Sequence, residues 1–367
     1  MLIDTTLREG AQLFGAYFSV EKKQTIIAGL LDIGIDEIEI GWIGQANLES
    51  IADFAQAQET AAVFSVWSPC RNEDIQRAAT LPIDRINIGI PVSDIHIEKR
   101  LNMNRGQLIS RLQETLNTAK RCGIRYVSIG FEDISRADLS FALELAEIAV
   151  DIGVARIRLS DSVGLLSPIE VTALVQTFAH LPCEIAVHCH NDFGMATANS
   201  ITALGSGADY ADCSILGIGE RSGISCTEEL AACLTLHQKT HHYNPAPLKA
   251  LADFVSLASD VPIARTKPVV GKDIFSCESG IHTHAMSKSP DIFEPYNPSA
   301  VGGKRVTAIG AKSGRASITN ALQTLGVCVN ESSLPQIITS IQKFSLKMER
   351  PLTTRELIHL STQSSHN

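Results

Sequence analysis

The sequence predicts an α/β fold: a (β/α)8 TIM barrel followed by a mostly helical C-terminal extension. Three observations point there. Short β-rich runs recur over the first two thirds of the chain, at intervals of roughly 20–40 residues, the span of one strand–helix unit. Helical patterns lie between them, several closing on a glycine (Gly34, Gly123, Gly153, Gly207), the residue that accepts the left-handed conformation ending a helix. Eight such runs follow one another, the number that closes this barrel.

In order, the expected strands are LIDTTL from Leu2, IDEIEIGW from Ile35, AVFSVW from Ala62, DRINIGIPV from Asp84, IRYVSIGF from Ile124, ARIRLSD from Ala155, EIAVHCH from Glu184 and DYADCSILGIG from Asp209. Between the first two, Ile26, Ile27, Leu30 and Leu31 fall at helical spacing. Ser167 to Glu170 reads as a capping box with Pro168 at the first helical position. A doubly wound open sheet is the alternative, but no G-x-G-x-x-G follows the first strand; GIGERSG, from Gly217, comes after the eighth. The pattern changes after Leu236, where HQKTHHYNPAP is polar and proline-bearing. The expected domains are therefore residues 1–236, the barrel, and 237–367, the extension, with an irregular polar stretch from Ser276 to Arg315 and a disordered STQSSHN end.

The chain has 367 residues, 44% of them hydrophobic and 19% charged, an ordinary globular balance. A formal net charge of −9 with scattered Lys and Arg speaks against nucleic acid. No apolar run is long enough for a membrane span, and MLIDTTLREG is no secretory signal. Nine cysteines without a C-x-x-C pair suggest a reducing, cytoplasmic location.

In such a barrel, chemistry sits at the C-terminal strand ends. His188 and His190 share one phase near the end of the seventh strand. Two imidazoles and a carboxylate suit a divalent metal, and Glu9, just beyond the first strand, is the chosen carboxylate. The other reading of H-x-H is a pair of core histidines. DTTLREG packs Asp4, Arg8 and Glu9 into one turn at the mouth, and further strand ends offer Glu132, Asp133, Ser160, Ser162, Glu220 and Arg221. Asp133 also reads as a helix cap, and Glu220–Arg221 as an ion pair.

Together, DTTLREG (4–10), SIGFEDISRAD (128–138), SDSVGLLSP (160–168), HCHNDFGMATAN (188–199), GIGERSG (217–223), ESGIH (278–282) and KSGR (312–315) resemble the acetyl-CoA-dependent Claisen-condensing synthases, the homocitrate, isopropylmalate, citramalate and Re-citrate synthases. The motifs occur in order over nearly the whole chain and look closest to the nitrogen-fixation type of homocitrate synthase. The resemblance implies an acyltransferase joining acetyl-CoA to a 2-oxo acid, 2-oxoglutarate first, with phosphonopyruvate, oxaloacetate and pyruvate as alternative acceptors. It implies a divalent cation (Mg, Mn or Zn) on Glu9, His188 and His190. Arg8, Glu132, His282 and Tyr296 become the catalytic set, and Arg8, Gln12, Ser128, Ser162 and Glu220 the acceptor contacts. It also implies a homodimer whose extensions reach the partner's barrel. The chain departs from the family pattern at Ala11, Ile224, Ala311–Lys312 and Phe293, the last standing where the family has a tyrosine, so Tyr296 is the substitute phenol. Outside this class, two histidines and a carboxylate also hold iron in oxygenases, and a homologue that binds a metabolite without turnover is the remaining alternative.

Overall fold

The computed structural model describes residues 1–239, 243–279, 286 and 289–363. Eight parallel strands close into a barrel in chain order. They are β1 (Leu2–Asp4), β2 (Glu37–Trp42), β3 (Val63–Pro69), β4 (Arg85–Pro91), β5 (Val127–Glu132), β6 (Arg156–Asp161), β7 (Glu184–Cys189) and β8 (Tyr210–Cys213). β1 closes the ring, pairing Ile3 with Glu37 of β2 on one side and with Asp212 of β8 on the other. Among the described residues no helix is long and apolar enough to cross a membrane.

The helices form as their caps dictate. The first, α1 (Val20–Ile33), starts where the Ser19 hydroxyl accepts from the Lys22 N–H and ends at Gly34, with φ of 84°. Gly123, Gly153 and Gly207 also take positive φ, as their place before strands required. The capping box between Ser167 and Glu170 is present.

Strand side chains alternate. In β2, β4, β5 and β6 one phase is apolar (Ile38, Ile40, Ile86, Ile88, Ile129, Phe131, Ile157, Leu159) and fully or almost fully buried. It forms the core between strands and helices, worth roughly 25 cal/mol for each Å² of apolar surface removed from water. The other phase points into the barrel and is polar: Glu37 and Glu39 of β2, Arg85 and Asn87 of β4, Arg156 and Arg158 of β6, Asp212 of β8. Barrel interiors of this type are ordinarily filled by branched aliphatics. Here much of the filling is ionic, beside a small apolar cluster of Ile3, Ala186 and Tyr210.

Contacts divide the chain into two compact units, Met1–Ile263 and Ala264–Asn367. The first runs past Leu236 to take in the helix Leu248–Ser259, whose Leu251 packs against Gly29 of α1. In the second, the helices Arg315–Thr324, Leu334–Met348 and Thr354–Gln363 pack around Ile309, Ile318, Leu322, Leu334, Ile337, Ile341 and Leu357. The described residues of its Ser276–Arg315 stretch form short turns plus one two-stranded parallel pair. The disordered end expected from Ser361 does not begin there: the last helix carries Ser361 and Thr362 as far as Gln363, and residues 364–367 lie outside the described residues. All nine cysteines are free thiols.

Candidate active site

The turn after β1 places the first functional groups. The Thr5 carbonyl accepts from the N–H groups of Arg8 (3.0 Å), Glu9 (2.8 Å) and Gly10 (3.2 Å), winding the chain once at the barrel mouth. Asp4 anchors that turn, its carboxylate accepting from the Thr6 N–H at 2.9 Å and the Thr227 hydroxyl at 2.6 Å. Burial pushes the Asp4 carboxyl up to about 6. Asp4 does not line the cavity above it.

His188 is one residue from the end of β7 and His190 one residue beyond it, held by a bridge to Ile224. Their Nε2 atoms lie 3.3 Å apart. Glu9 presents Oε2 4.0 Å from His188 Nε2 and Oε1 3.8 Å from His190 Nε2. All three are buried, with one ligand atom from each lying within 4.8 Å of the others. The donor set fits a divalent cation, since ligands about 2.1 Å from a common centre sit at comparable mutual distances. The protonation states fit too. His188 Nδ1 lies 2.8 Å from Asp212 Oδ2; a carboxylate accepts, so Nδ1 carries a hydrogen, the tautomer that directs Nε2 toward a ligand. Burial, and then His188, push the His190 imidazole down to about 3, so the ring is neutral. Burial alone would raise the Glu9 carboxyl, but the Arg8 guanidinium beside it outweighs that and holds it below the usual range.

These groups face a cavity of about 390 Å³, a volume suited to a small ligand. Gln12, Glu132, Ser162, Glu220 and Arg221 line it as well. Glu132 ends β5 and accepts from Arg100 Nη1 at 2.5 Å. The Ser162 hydroxyl accepts from the Asp133 N–H at 2.9 Å. The Glu220 N–H donates to Glu9 Oε1 at 3.1 Å.

The structure places Ser128, Arg221 and Asp133 as follows. Ser128 is fully buried below the cavity, where its hydroxyl accepts from Arg156 Nε at 3.3 Å; its even position on β5 points it inward, but two rungs too deep. Glu220 and Arg221 form no ion pair. Arg221, at φ of 55°, turns instead to Asp192 (2.9 and 3.0 Å) and the Ser162 carbonyl (2.6 Å). Asp133 caps no helix with its side chain; buried, it accepts from Ser93 and from Arg136.

His282 lies outside the described residues. Tyr296 belongs to the second unit, where its half-buried ring packs edge-on against Phe275 at 5.8 Å. In that unit the ESGIH and KSGR motifs meet: Glu278 Oε1 accepts from the Lys312 N–H at 3.1 Å, and the Glu278 carbonyl accepts from the Ser313 hydroxyl at 3.2 Å.

The ionic interior escaped the sequence reading. Arg8 Nε donates to Glu39 Oε2 at 2.5 Å, and Arg158 Nη1 to Glu39 Oε1 at 3.1 Å. Burial alone would raise the Glu39 carboxyl, but Arg8 and Arg158 hold it down at about 2. The signal was charge alternating with isoleucine in DEIEI, DRINI and RIRL.

Residues 1–255 match the HMGL-like family model and residues 269–349 the homocitrate synthase post-HMGL domain-like model. The chain is 34% identical over 363 residues to 2-isopropylmalate synthase 2 of Caldanaerobacter subterraneus subsp. tengcongensis, covering 98% of this chain and 94% of that protein. It is 32% identical to homocitrate synthase 1 of a Nostoc species, covering 100% and 98%, and 33% identical to 2-phosphonomethylmalate synthase of Streptomyces rubellomurinus, covering 100% and 98%. Among solved structures, an HMG-CoA lyase from Bacillus subtilis superposes with a TM-score of 0.65 at 20% identity over 73% of this chain and 97% of that one, a likeness of fold. With both family models matched in order and relatives aligned over the full chain, the protein belongs to the homocitrate synthase and 2-isopropylmalate synthase family of HMGL-like barrels.

Proposed function

We propose that this chain condenses acetyl-CoA with a 2-oxo acid and then hydrolyses the thioester, with 2-oxoglutarate as acceptor and homocitrate as product. The observation that carries the reading is the Glu9–His188–His190 cluster beside Arg8 at one cavity, in a chain whose full-length relatives are synthases of this kind.

A divalent cation held by Glu9, His188 and His190 would supply Lewis-acid polarisation of the acceptor ketone. His282, with Glu132 as its partner, takes a proton from the acetyl methyl group. The resulting carbanion bonds to the ketone carbon, and the carbonyl electron pair moves to oxygen. Arg8 stabilises that developing negative charge, which a proton then neutralises. Water next attacks the thioester carbonyl, the carbon–sulfur bond breaks, and CoA leaves as its thiol. Gln12, Ser162 and Glu220 contact the acceptor, and Tyr296 stands in for the phenol missing at Phe293. The active form is a homodimer in which His282 serves the partner's barrel.

Free-thiol release across a panel of 2-oxo acids with acetyl-CoA and Mg²⁺, Mn²⁺ or Zn²⁺ tests the reading. The highest kcat/KM is expected with 2-oxoglutarate, and chelation is expected to stop the reaction. A better rate with phosphonopyruvate, oxaloacetate or pyruvate replaces the acceptor; no thiol with any of them removes the activity. Mixing Glu9→Ala chains with His282→Ala chains is expected to restore activity, because one site of each mixed dimer holds both residues. Subunits that exchange without restoring activity would refute the shared site.

A further inference from the structure

Six buried ionic groups form a closed loop at the cavity, which Arg8, Glu9, Arg158 and His188 line and beneath which Glu39 and Asp212 lie buried. Arg8 Nη1 donates to Glu9 Oε2 at 2.5 Å, and Arg8 Nε to Glu39 Oε2 at 2.5 Å. Glu39 Oε1 accepts from Arg158 Nη1 at 3.1 Å, and the same Nη1 lies 3.1 Å from Asp212 Oδ2. Asp212 Oδ2 faces His188 Nδ1 at 2.8 Å, and His188 Nε2 comes round to Glu9 Oε2 at 4.0 Å. Arg158 lines the cavity, but no step of the proposed chemistry is assigned to it. Yet one of its nitrogens holds both carboxylates: the one that aims Arg8 and the one that fixes the His188 ring.

The bonding of Arg158 is uneven. Its side chain is 2% exposed, and Nε and Nη2 have no hydrogen-bond partner. Buried donors left unpaired cost stability, and a buried ion pair is a poor source of it. A guanidinium kept on such terms is kept for where it puts its neighbours. Asp212 sharpens the point, because its Oδ1 is also unpartnered. Among the described residues, Arg158 and His188 alone meet that carboxylate. Without Arg158, Asp212 is free to swing about its remaining contact, and the His188 ring loses its fixed azimuth. Glu39 would keep Arg8 and the Asn87 Nδ2 donor, 2.6 Å from Oε1, so the Arg8 side of the loop is the better braced.

We infer that Arg158 is a positioning residue. It locks Asp212 against His188, and thereby sets the orientation of one imidazole of the cation site, while steadying Glu39 beneath Arg8. This inference deepens the proposed function and rests on the cation site named there.

Its test reads cation binding directly, independently of which acceptor is used. The purified full chain, stripped with a chelator, is titrated with Mn²⁺, free ion being followed by electron paramagnetic resonance. The Co²⁺-loaded chain is compared by visible absorption. Arg158→Met is expected to weaken Mn²⁺ by about 10-fold per folded molecule, within the ~10–100-fold range typical of groups that orient a ligand, and to alter the Co²⁺ bands. Asp212→Asn is expected to do at least as much. The double variant should fall well short of the product of the two, because both act through one contact. With an acceptor that is turned over, kcat should fall by more than KM rises. If Arg158→Met does not fold, Arg158→Lys decides, since a lysine keeps the charge but not the reach to both carboxylates; several-fold weaker Mn²⁺ binding is expected. Wild-type Mn²⁺ affinity and an unchanged Co²⁺ spectrum in a folded Arg158 variant overturn the inference while leaving the cation site standing. A wild-type chain that binds neither ion overturns the cation site and the inference with it.

Discussion

Arg156 and Arg158 stand two residues apart on β6, both buried and both pointing into the barrel, yet they are held in different ways. Arg156 Nη2 grips both oxygens of Glu37, at 3.0 and 2.8 Å, and its guanidinium lies against the rings of Tyr210 (4.5 Å) and Tyr126 (5.3 Å). Arg85 meets the same carboxylate at 2.7 Å and lies over Tyr126 at 4.1 Å. That layer is boxed by aromatic faces, which add cation–π attraction to the ion pairs. Arg158, nearer the mouth, has no aromatic ring within such reach among the described residues and shares one nitrogen between two carboxylates. One strand thus presents the same side chain twice. The deeper copy is bonded as a structural plug, and the shallower one as a support for groups that face the cavity.

The comparison can be pressed at four places. The largest effect belongs to the mouth: His188→Ala and His190→Ala are each expected to abolish thiol release and cation binding while circular dichroism stays native. Full activity in either would remove the cation assignment. Next comes the plug. Arg156→Met leaves Glu37 with Arg85 as its paired cation and Asn87 Nδ2 at 3.5 Å, and breaking a buried pair costs about 3 kcal/mol. Chemical denaturation should show that loss, and Mn²⁺ affinity of the molecules that remain folded should be unchanged; a weakened affinity would merge the two layers into one. Asp4 offers a pH test below the site. Burial raises its folded carboxyl to about 6, so the protonated form is favoured by folding. The stability it contributes is full below the unfolded value, near 4, and is lost as pH rises through 6. Against Asp4→Asn, the wild type should therefore lose on the order of 2 kcal/mol between pH 4 and pH 7, measured by urea unfolding; a difference that does not vary with pH contradicts it. The smallest effect is Ser128→Ala. Ser128 lies with the plug, so the variant should lose about 1 kcal/mol of stability and keep its KM for the acceptor within two-fold. A several-fold rise in KM would return Ser128 to the acceptor site.

The fold was legible because its two periods do not overlap. Strand alternation in DEIEIGW or RINIGIP and helical spacing at Ile26, Ile27, Leu30 and Leu31 each mark one face, and glycines with positive φ punctuate them. The cation cluster was legible for a related reason: His188 and His190 share a strand phase, and Glu9 follows the strand that closes the ring. Depth was not legible. Alternation says that Ser128 and Glu132 both point inward, but only the stagger of neighbouring strands places Glu132 on the rung with Ser160 and His188 and drops Ser128 to the rung of Arg156. Partner choice was not legible either. Arg221 sits next to Glu220 in sequence, but its positive φ turns it toward Asp192. The ionic interior was written plainly as charge alternating with isoleucine, and went unread because alternation ordinarily signals a water-facing side rather than the inside of a barrel.

The seam between β1 and β8 has a consequence for how the molecule comes into being. β1 is three residues long, and its two flanking partners come from opposite ends of the barrel sequence, Glu37–Ile38 and Ala211–Cys213. On a ribosome, Leu2–Asp4 meets β2 early but waits for Ala211–Cys213 to be made before the ring can shut. Contacts so far apart in sequence are slow to form, since loop entropy must be overcome before they yield anything. Glu9 hangs from the turn just past that seam, whereas His188 and His190 arrive on β7. The three come together only when the ring has closed, so the cation site matures last. Any cation that bridges them then favours the closed ring over the open sheet, by an amount set by its concentration relative to its dissociation constant.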